Sequence, residues 1–311
     1  MHQSSSGVKS AVIDFRVRPP FNSFSNLTIF NARLAAHNRP ASWVGPVPES
    51  VLQRSMDLFL AELDAAGVQR AVVWGRAVKD PNASTTLEDV ADLVKRYPTR
   101  FLGFGGIRIP NNPVESEIAV SETEKALVNL GLSGITLEPG FALSPTLGPD
   151  DPNLYPVYER CQELNAVLAL TISVRAGTAM KYSNPEAVDS VARRFPRLKI
   201  VIGHSCWPWV AQAIGVAYRN SNVYLHPDFY GLGCAGHQQW VEAANTLLER
   251  QIIFGSAYPL AAVGPMVERY GVAPGSNGVV FTNNDDAYQT AIVLKDAGVG
   301  VRVVEALKAR G

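Results

Sequence analysis

Short apolar runs alternate with longer amphipathic segments along most of the chain. The apolar runs are rich in Val, Ile and Leu and are bounded by Gly, Pro or Asn, which is typical of parallel strands buried on both faces. Eight strands are predicted, at 11–14, 69–74, 101–106, 134–137, 167–171, 199–203, 223–225 and 251–255. Eight helices are predicted between and after them, at 50–66, 87–96, 114–130, 154–164, 185–195, 208–219, 237–248 and 261–270.

This alternation predicts one α/β domain, a closed (β/α)8 TIM barrel over residues 9–272. The 311 residues would also be enough for two domains, but α/β barrels of this length commonly form one. An open doubly wound sheet is the rival fold, and it usually carries a GxGxxG loop after its first strand, whereas this strand runs into DFRVR at 14–18. The irregular stretch at about 19–48 is apolar enough that we expect it to cover the barrel mouth.

Charge and composition limit the classes of partner. Lys plus Arg and Asp plus Glu both number 28, and this balance argues against binding to nucleic acid or to a membrane surface. No apolar run approaches the roughly 20 residues of a membrane span, and the polar start lacks the apolar core of a signal peptide. The three cysteines, Cys161, Cys206 and Cys234, are widely spaced, so reduced thiols in a cytoplasmic protein are expected. The composition also allows a homo-oligomer.

The carboxyl ends of the strands are where a barrel of this kind places its chemistry. The polar residues predicted at those ends are Asp14, Arg16, Arg18, Arg76, Arg108, Glu138, Thr171, Ser173, His204, His226, Asp228, Ser256 and Tyr258. Four arginines at one mouth are costly unless carboxylates or an anionic ligand neutralise them. Either Arg16 and Arg108 pair internally with Asp14 and Glu138, or at least two arginines bind an anion.

Guanidinium groups bind carboxylates through two parallel hydrogen bonds, which favours a small anionic substrate with a carboxylate or lactone-acid group. Arg16, Arg18, Arg76 and Arg108 are therefore the candidate substrate-binding residues, with Tyr258 as a fifth.

Five segments carry a resemblance to a known family. They are VIDFRVR at 12–18, GITLEPG at 134–140, YPVYE at 155–159, RFPRLKIVIGH at 194–204 and IFGSAYP at 253–259. Their order, over about residues 10 to 270, resembles the amidohydrolase-related family. The resemblance implies a (β/α)8 barrel and an activity among the hydrolases, decarboxylases, hydratases and lactonases that act on small aromatic-derived acids.

The departures from the family pattern concern the metal ligands. Metal-binding members have an HxH pair after strand one, where this chain has Arg16 and Arg18. They have a histidine after strand five and an aspartate in the last motif, where Thr171 and Ala257 stand. Zinc needs three or four nitrogen, sulfur or carboxylate ligands, and of the family set only His204 remains. We therefore predict no metal and no cofactor.

The resemblance implies that His204 polarises a carbonyl or orients water, with Asp228 or Glu138 moving the proton. From the residues alone, a purely structural role for His204 stays open.

The last segment, residues 273–311, departs from the family. It contains GVVFTNNDDAY at 278–288 and is predicted as a strand, a capped helix, a glycine stop and a second strand, a short βαβ-like extension. About 30 of these residues resemble part of the sarcosine oxidase alpha subunit. No GxGxxG loop accompanies them, so no flavin or nicotinamide cofactor is inferred.

Three functions follow. The first is a metal-independent hydrolase, decarboxylase or other lyase acting on a small anionic carbonyl or lactone compound. The second is a catalytically inactive barrel that binds an anionic metabolite or a partner. The third is a metal-dependent amidohydrolase whose ligands differ from the family set.

Overall fold

The computed structural model describes residues 12–31, 45–78, 80, 83–141, 147–175, 177, 179–248 and 250–270. Seven strands form one parallel sheet in sequence order. They are β1 Val12–Val17, β2 Val68–Trp74, β3 Phe101–Gly106, β4 Gly134–Leu137, β5 Val167–Thr171, β6 Lys199–Gly203 and β7 Val223–His226. β1 and β7 extend beyond the predicted strand ends.

The segment 251–258 closes the sheet into a barrel. On one side, the N–H of Ile253 donates to the carbonyl of Leu225 in β7 at 2.9 Å. On the other side, the N–H of Phe15 in β1 donates to the carbonyl of Phe254 at 3.1 Å. The predicted TIM barrel is confirmed. The eighth strand exists as isolated parallel bridges to β7 and β1 rather than as a regular strand.

Nine helices surround the barrel in the described part of the chain. They are α1 Glu49–Leu52, α2 Met56–Ala65, α3 Leu87–Arg96, α4 Pro113–Glu124, α5 Tyr155–Glu163, α6 Pro185–Arg194, α7 Val210–Arg219, α8 His237–Asn245 and α9 Val263–Arg269. The prediction of one helix at 50–66 is wrong. The Ser55 side chain accepts the Leu58 N–H at 3.3 Å and begins a second helix, and Arg54 before it has a left-handed φ of 49°.

Large inward-facing side chains fill the barrel interior. The buried cluster comprises Phe15, Val72, Trp74, Phe104, Val167, Ala169, Val201, Tyr224 and Ile253. Phe15 packs edge-on against Trp74 and Phe104, with ring centres 6.3 and 5.7 Å away. The barrel is therefore a packed core, and any open space lies above it at the carboxyl ends of the strands.

The described part of the 19–48 stretch contributes to that end of the barrel, as predicted. Leu27, Thr28 and Ile29 line the cavity there, while Phe24 and Phe30 are buried beneath them. The predicted extension at 273–311, with its resemblance to sarcosine oxidase, lies outside the described residues. None of the helices in the described ranges is long and apolar enough to cross a membrane.

Candidate active site

A cavity of about 550 Å³ opens at the carboxyl ends of the strands. Its lining combines arginines with apolar side chains. The lining residues are Arg16, Arg18, Leu27, Thr28, Ile29, Arg76, Glu138, Phe141, Thr171, Ser173, Arg175, His204, Phe229, Tyr230 and Leu260. The cavity therefore offers cationic and apolar surface to the same ligand.

Two arginines share one carboxylate on the floor of the cavity. Glu138, which directly follows β4, pairs through Oε1 with Arg18 and through Oε2 with Arg76 Nε, the latter at 2.8 Å. Arg18 Nε also donates to the Trp74 carbonyl, and Arg76 Nη1 donates to the Ala83 carbonyl. Burial alone would raise the pKa of Glu138, but Arg76 and Arg18 together hold this pKa well below its usual range. Arg18 and Arg76 are called the arginine pair below.

A second cluster joins β1, β6 and β7. Arg16 Nη1 lies 2.9 Å from His204 Nε2 and 3.3 Å from Asp228 Oδ2, and His204 Nδ1 lies 2.7 Å from the same carboxylate oxygen. These three residues are called the Arg16 cluster. The guanidinium carbon of Arg16 lies 4.9 Å from the centre of the Trp74 ring. A Cβ at Gly203 would come within 3.3 Å of Arg16 Nη1, so glycine leaves room for the guanidinium.

Burial is the main influence on the ionisation of the Arg16 cluster. It lowers the pKa of Arg16 to about 10, assisted by the nearby charge of Arg18. Burial, and then the charge of Arg16, also lowers the pKa of His204, although Asp228 acts in the opposite direction. At neutral pH the cluster thus holds a charged guanidinium and a neutral imidazole.

The backbone at these strand ends adopts left-handed conformations at non-glycine residues. The φ angles are 66° at His204, 46° at Ser205, 58° at Cys206, 46° at Asp228 and 58° at Ala257. Such residues cost about 1–2 kcal/mol each, and they tend to persist where the surrounding contacts fix them. One of those contacts is the His204 N–H, which donates to Asp228 Oδ2 at 3.2 Å. The sharp turns after β6 and β7 therefore place the two side chains against each other.

Two buried titratable groups lie outside the cavity lining. Asp14 Oδ1 accepts the N–H groups of Arg16 and Ser256 at 3.0 and 2.9 Å, yet burial raises the pKa of Asp14 to about 6. Burial lowers the pKa of His226 to about 3, and no described residue hydrogen-bonds to its ring nitrogens. The alternative in which Arg16 pairs with Asp14 does not hold, because the Arg16 guanidinium pairs with Asp228.

The sequence-predicted site residues divide into two groups. Arg16, Arg18, Arg76, Glu138 and His204 line the cavity, and Asp228 lies directly behind Arg16 and His204.

The structure does not bring Arg108 or Tyr258 into the cavity. Arg108 is 55% exposed and pairs with Glu122 of α4 at 2.5 Å, so neither of the internal pairs predicted for Arg16 and Arg108 forms. Tyr258 is buried beside the helices, where its hydroxyl lies 2.7 Å from Ser50 Oγ and its ring packs on Phe59. Both follow a strand, but the path of the chain beyond the strand turns their side chains away from the mouth.

Several residues of the site were not among the sequence-predicted site residues. Trp74 supports Arg16, and its place at the end of a predicted buried strand was the available signal. Arg175 lies two positions beyond Ser173 and contributes a further cation to the wall. Tyr230 stacks on Trp207 with ring centres 4.7 Å apart, and burial raises the pKa of its hydroxyl to about 12.

Comparison with known proteins places the chain in a family. The model of the family described as amidohydrolase matches residues 14–274. An uncharacterised TIM-barrel protein from Bordetella bronchiseptica is 32% identical, with a TM-score of 0.81, and the match covers 93% of this chain and 99% of that one.

More distant similarities include two decarboxylases. The 5-carboxyvanillate decarboxylase of Sphingomonas paucimobilis is 18% identical, with a TM-score of 0.58 over 97% of this chain and 99% of that chain, and shares the fold. The 2-amino-3-carboxymuconate-6-semialdehyde decarboxylase of Dictyostelium discoideum is 29% identical over 97 residues, which span 30% of this chain and 25% of that enzyme. From the family match over residues 14–274, the chain belongs to the amidohydrolase family.

Proposed function

We propose that this protein is a metal-independent decarboxylase that acts on a small carboxylate compound at the barrel mouth. Hydrolysis of an anionic carbonyl or lactone compound is the second candidate, because the resemblance to the amidohydrolase-related family implies it. The names of the two similar decarboxylases support a reaction on a carboxylate substrate.

The arginine pair carries the proposal. Two guanidinium groups face the cavity and share the carboxylate of Glu138, so among the described residues one positive charge is left without a counter-ion there. A buried surplus cation is costly, and a substrate carboxylate would neutralise it through charge-assisted hydrogen bonds. We therefore assign the substrate carboxylate to Arg18 and Arg76, with Glu138 as their fixed counter-ion rather than a base.

The hydrogen bonds of the site favour decarboxylation over hydrolysis. Hydrolysis needs a general base to activate water. Glu138 is held by the arginine pair, and the ring nitrogens of His204 are engaged with Arg16 and Asp228. Decarboxylation requires no base. The bond between the carboxylate carbon and the rest of the substrate breaks, CO2 leaves, and the electron pair stays on the substrate. A proton from water in the open mouth then forms the new C–H bond.

The residues of the site do not fit a divalent metal ion. A metal placed between His204 and Asp228 would lie against the Arg16 guanidinium, which is itself a permanent cation. In the described ranges, no three or more His, Cys, Asp or Glu side chains are grouped so that they could hold a metal.

A panel of small carboxylates and dicarboxylates tests the proposed function. A carboxylate that binds only the folded protein should stabilise it by about 2.7 kcal/mol at one hundred times its Kd, raising the melting temperature, and a substrate should release CO2. Arg18→Met should abolish both effects, whereas Arg108→Met, at the exposed pair with Glu122, should leave them unchanged. Binding without release of CO2 or any hydrolysis product would favour the inactive barrel, and no binding at all would contradict the proposal.

We expect the purified protein to contain no stoichiometric zinc or manganese and to keep its turnover after dialysis against EDTA. The physical reason is the Arg16 guanidinium, which lies where a cation would meet His204 and Asp228. Elemental analysis of the purified protein measures this. About one metal ion per chain, with turnover lost on chelation and restored by that metal, would support the metal-dependent alternative.

A further inference from the structure

One edge of the Arg16 guanidinium is fixed by two side chains. Nη1 lies 2.9 Å from His204 Nε2 and 3.3 Å from Asp228 Oδ2, and the Trp74 ring lies beside the guanidinium carbon. The side chain is 4% exposed. These contacts hold a buried cation in one orientation above the barrel core.

Both ring nitrogens of His204 lie against charged side chains. The Asp228 carboxylate can only accept, so His204 Nδ1 carries the proton in the 2.7 Å contact between them. Arg16 can only donate, and its Nη1 lies 2.9 Å from Nε2 and 3.3 Å from Nδ1 of the same ring. His204 therefore connects a carboxylate to a guanidinium and positions Arg16.

The other edge of Arg16 faces the cavity. No described residue accepts a hydrogen bond from its Nε or Nη2, and neither atom is among the buried polar atoms that lack a partner. Arg16 also lines the cavity that contains the arginine pair. The Nε and Nη2 groups of Arg16 can therefore donate hydrogen bonds to a ligand whose carboxylate is bound by Arg18 and Arg76.

We propose that Arg16 is the catalytic electrophile of the decarboxylation, with His204 and Asp228 as positioning residues; this inference rests on the proposed function. The substrate would carry a carbonyl oxygen on the carbon next to the one that loses CO2. As the C–C bond breaks, its electron pair is delocalised onto that oxygen, and Arg16 stabilises the charge by hydrogen bonds while keeping its own protons. A proton from water then forms the C–H bond, and the charge leaves the oxygen.

Oriented donors act most strongly on charge that develops during the reaction, because they need not reorganise as that charge appears. Loss of one such donor lowers kcat about 100- to 1000-fold. We expect that loss for His204→Gln, with KM changed little, because glutamine does not hold the guanidinium at the same place. The shape of the pH profile should stay unchanged, since His204 transfers no proton in this scheme.

Binding of two probes separates Arg16 from the arginine pair. Benzoate offers a carboxylate alone, and 2-hydroxybenzoate adds an oxygen at the same position relative to the carboxylate as the proposed carbonyl oxygen. The wild-type protein should prefer 2-hydroxybenzoate in titration calorimetry by about 10- to 100-fold, the range for a hydrogen bond to a charged group. Arg16→Met should remove this preference, and Arg18→Met should weaken both probes by a similar factor. Arg16→Lys keeps the charge but not the planar group, and it replaces Arg16→Met if circular dichroism shows that variant to be unfolded.

Three outcomes decide the matter. If the Arg16 variants weaken the binding of both probes equally, or of neither probe, the role of Arg16 as electrophile is overturned while the proposed function stands. If the wild-type protein binds no carboxylate at all, both proposals fall. Nitrogen-15 NMR gives an independent test, since His204 should be neutral at pH 7 with the proton on Nδ1. An imidazolium, or a proton on Nε2, would overturn the positioning of Arg16 by His204.

Discussion

Replacing Glu138 by glutamine is expected to lower the free energy of unfolding by about 3–5 kcal/mol, the cost of breaking a buried ion pair by removing one partner. Glutamine has nearly the same size, so the change removes charge and leaves no cavity. Arg18 and Arg76 would then face each other and the cavity without their carboxylate. Chemical denaturation of variant and wild type, compared at equal slope, measures the loss.

A surface pair provides the matched control. Glu122→Gln breaks the pair with Arg108, whose side chain is 55% exposed, and should change the free energy of unfolding by about 0–1 kcal/mol. Equal losses in the two variants would show that burial adds nothing to the Glu138 interaction, and the charge argument for a bound carboxylate would lose its foundation.

The difference in the free energy of unfolding between wild type and Glu138→Gln should decrease in acid. Glutamate in the unfolded chain has a pKa of about 4.3. Burial acts against ionisation of Glu138, but Arg76 and Arg18 outweigh it and lower the pKa in the folded protein. The stabilisation is therefore complete above about pH 4.3 and is lost as the pH falls through the folded pKa. The gap between wild type and Glu138→Gln should be constant from about pH 7 to 5 and shrink below about pH 4. A gap that did not shrink in acid would contradict the ion-pair explanation.

The barrel could be predicted because its strands and helices differ in local pattern. Buried parallel strands form apolar runs, and the helix predicted from residue 185 begins there as α6, where the Asn184 side chain accepts the Glu186 N–H at 3.0 Å. The break between α1 and α2 was missed, because the apolar pattern continues across Arg54 and favours one long helix. In the structure, Arg54 has a left-handed φ and the Ser55 side chain caps the start of a second helix. A regular eighth strand was also predicted, but the segment forms only isolated bridges. An apolar run shows that a segment is buried and does not show how it pairs with its neighbours.

Several residues of the candidate site could be predicted from the sequence, but the contacts between them could not. The rule that chemistry follows the strands brought Arg16, Arg18 and Glu138 together correctly. It could not assign partners, since the Arg16–Asp228 and Arg18–Glu138 contacts join residues 212 and 120 positions apart. The direction of a side chain beyond a strand depends on the loop, which explains why Arg108 lies outside the cavity. Its backbone N–H and its guanidinium both turn to Glu122.

Asp228→Ala is expected to lower the free energy of unfolding by about 3–5 kcal/mol, because it leaves the Arg16 guanidinium buried without a counter-ion. The lost carboxylate oxygen also accepts the backbone N–H of His204 at 3.2 Å and contacts His204 Nδ1 at 2.7 Å. Asp228→Asn removes the negative charge of the side chain and keeps its shape. Asparagine tolerates the left-handed φ of 46° and keeps an acceptor, so we expect a smaller loss of about 1.5–3 kcal/mol.

Asp92→Ala is the control for this change, because it removes an exposed i, i+4 pair with Arg96 and should cost no more than about 0.5 kcal/mol. The expected order of loss is therefore Ala at 228, then Asn at 228, then Ala at 92, measured by denaturation at neutral pH. An Asp228→Asn variant as stable as the wild type would mean that the charge of the carboxylate does not stabilise Arg16. The geometry that places the guanidinium against His204 would then need another cause, and the assignment of Asp228 as a positioning residue would fail with it.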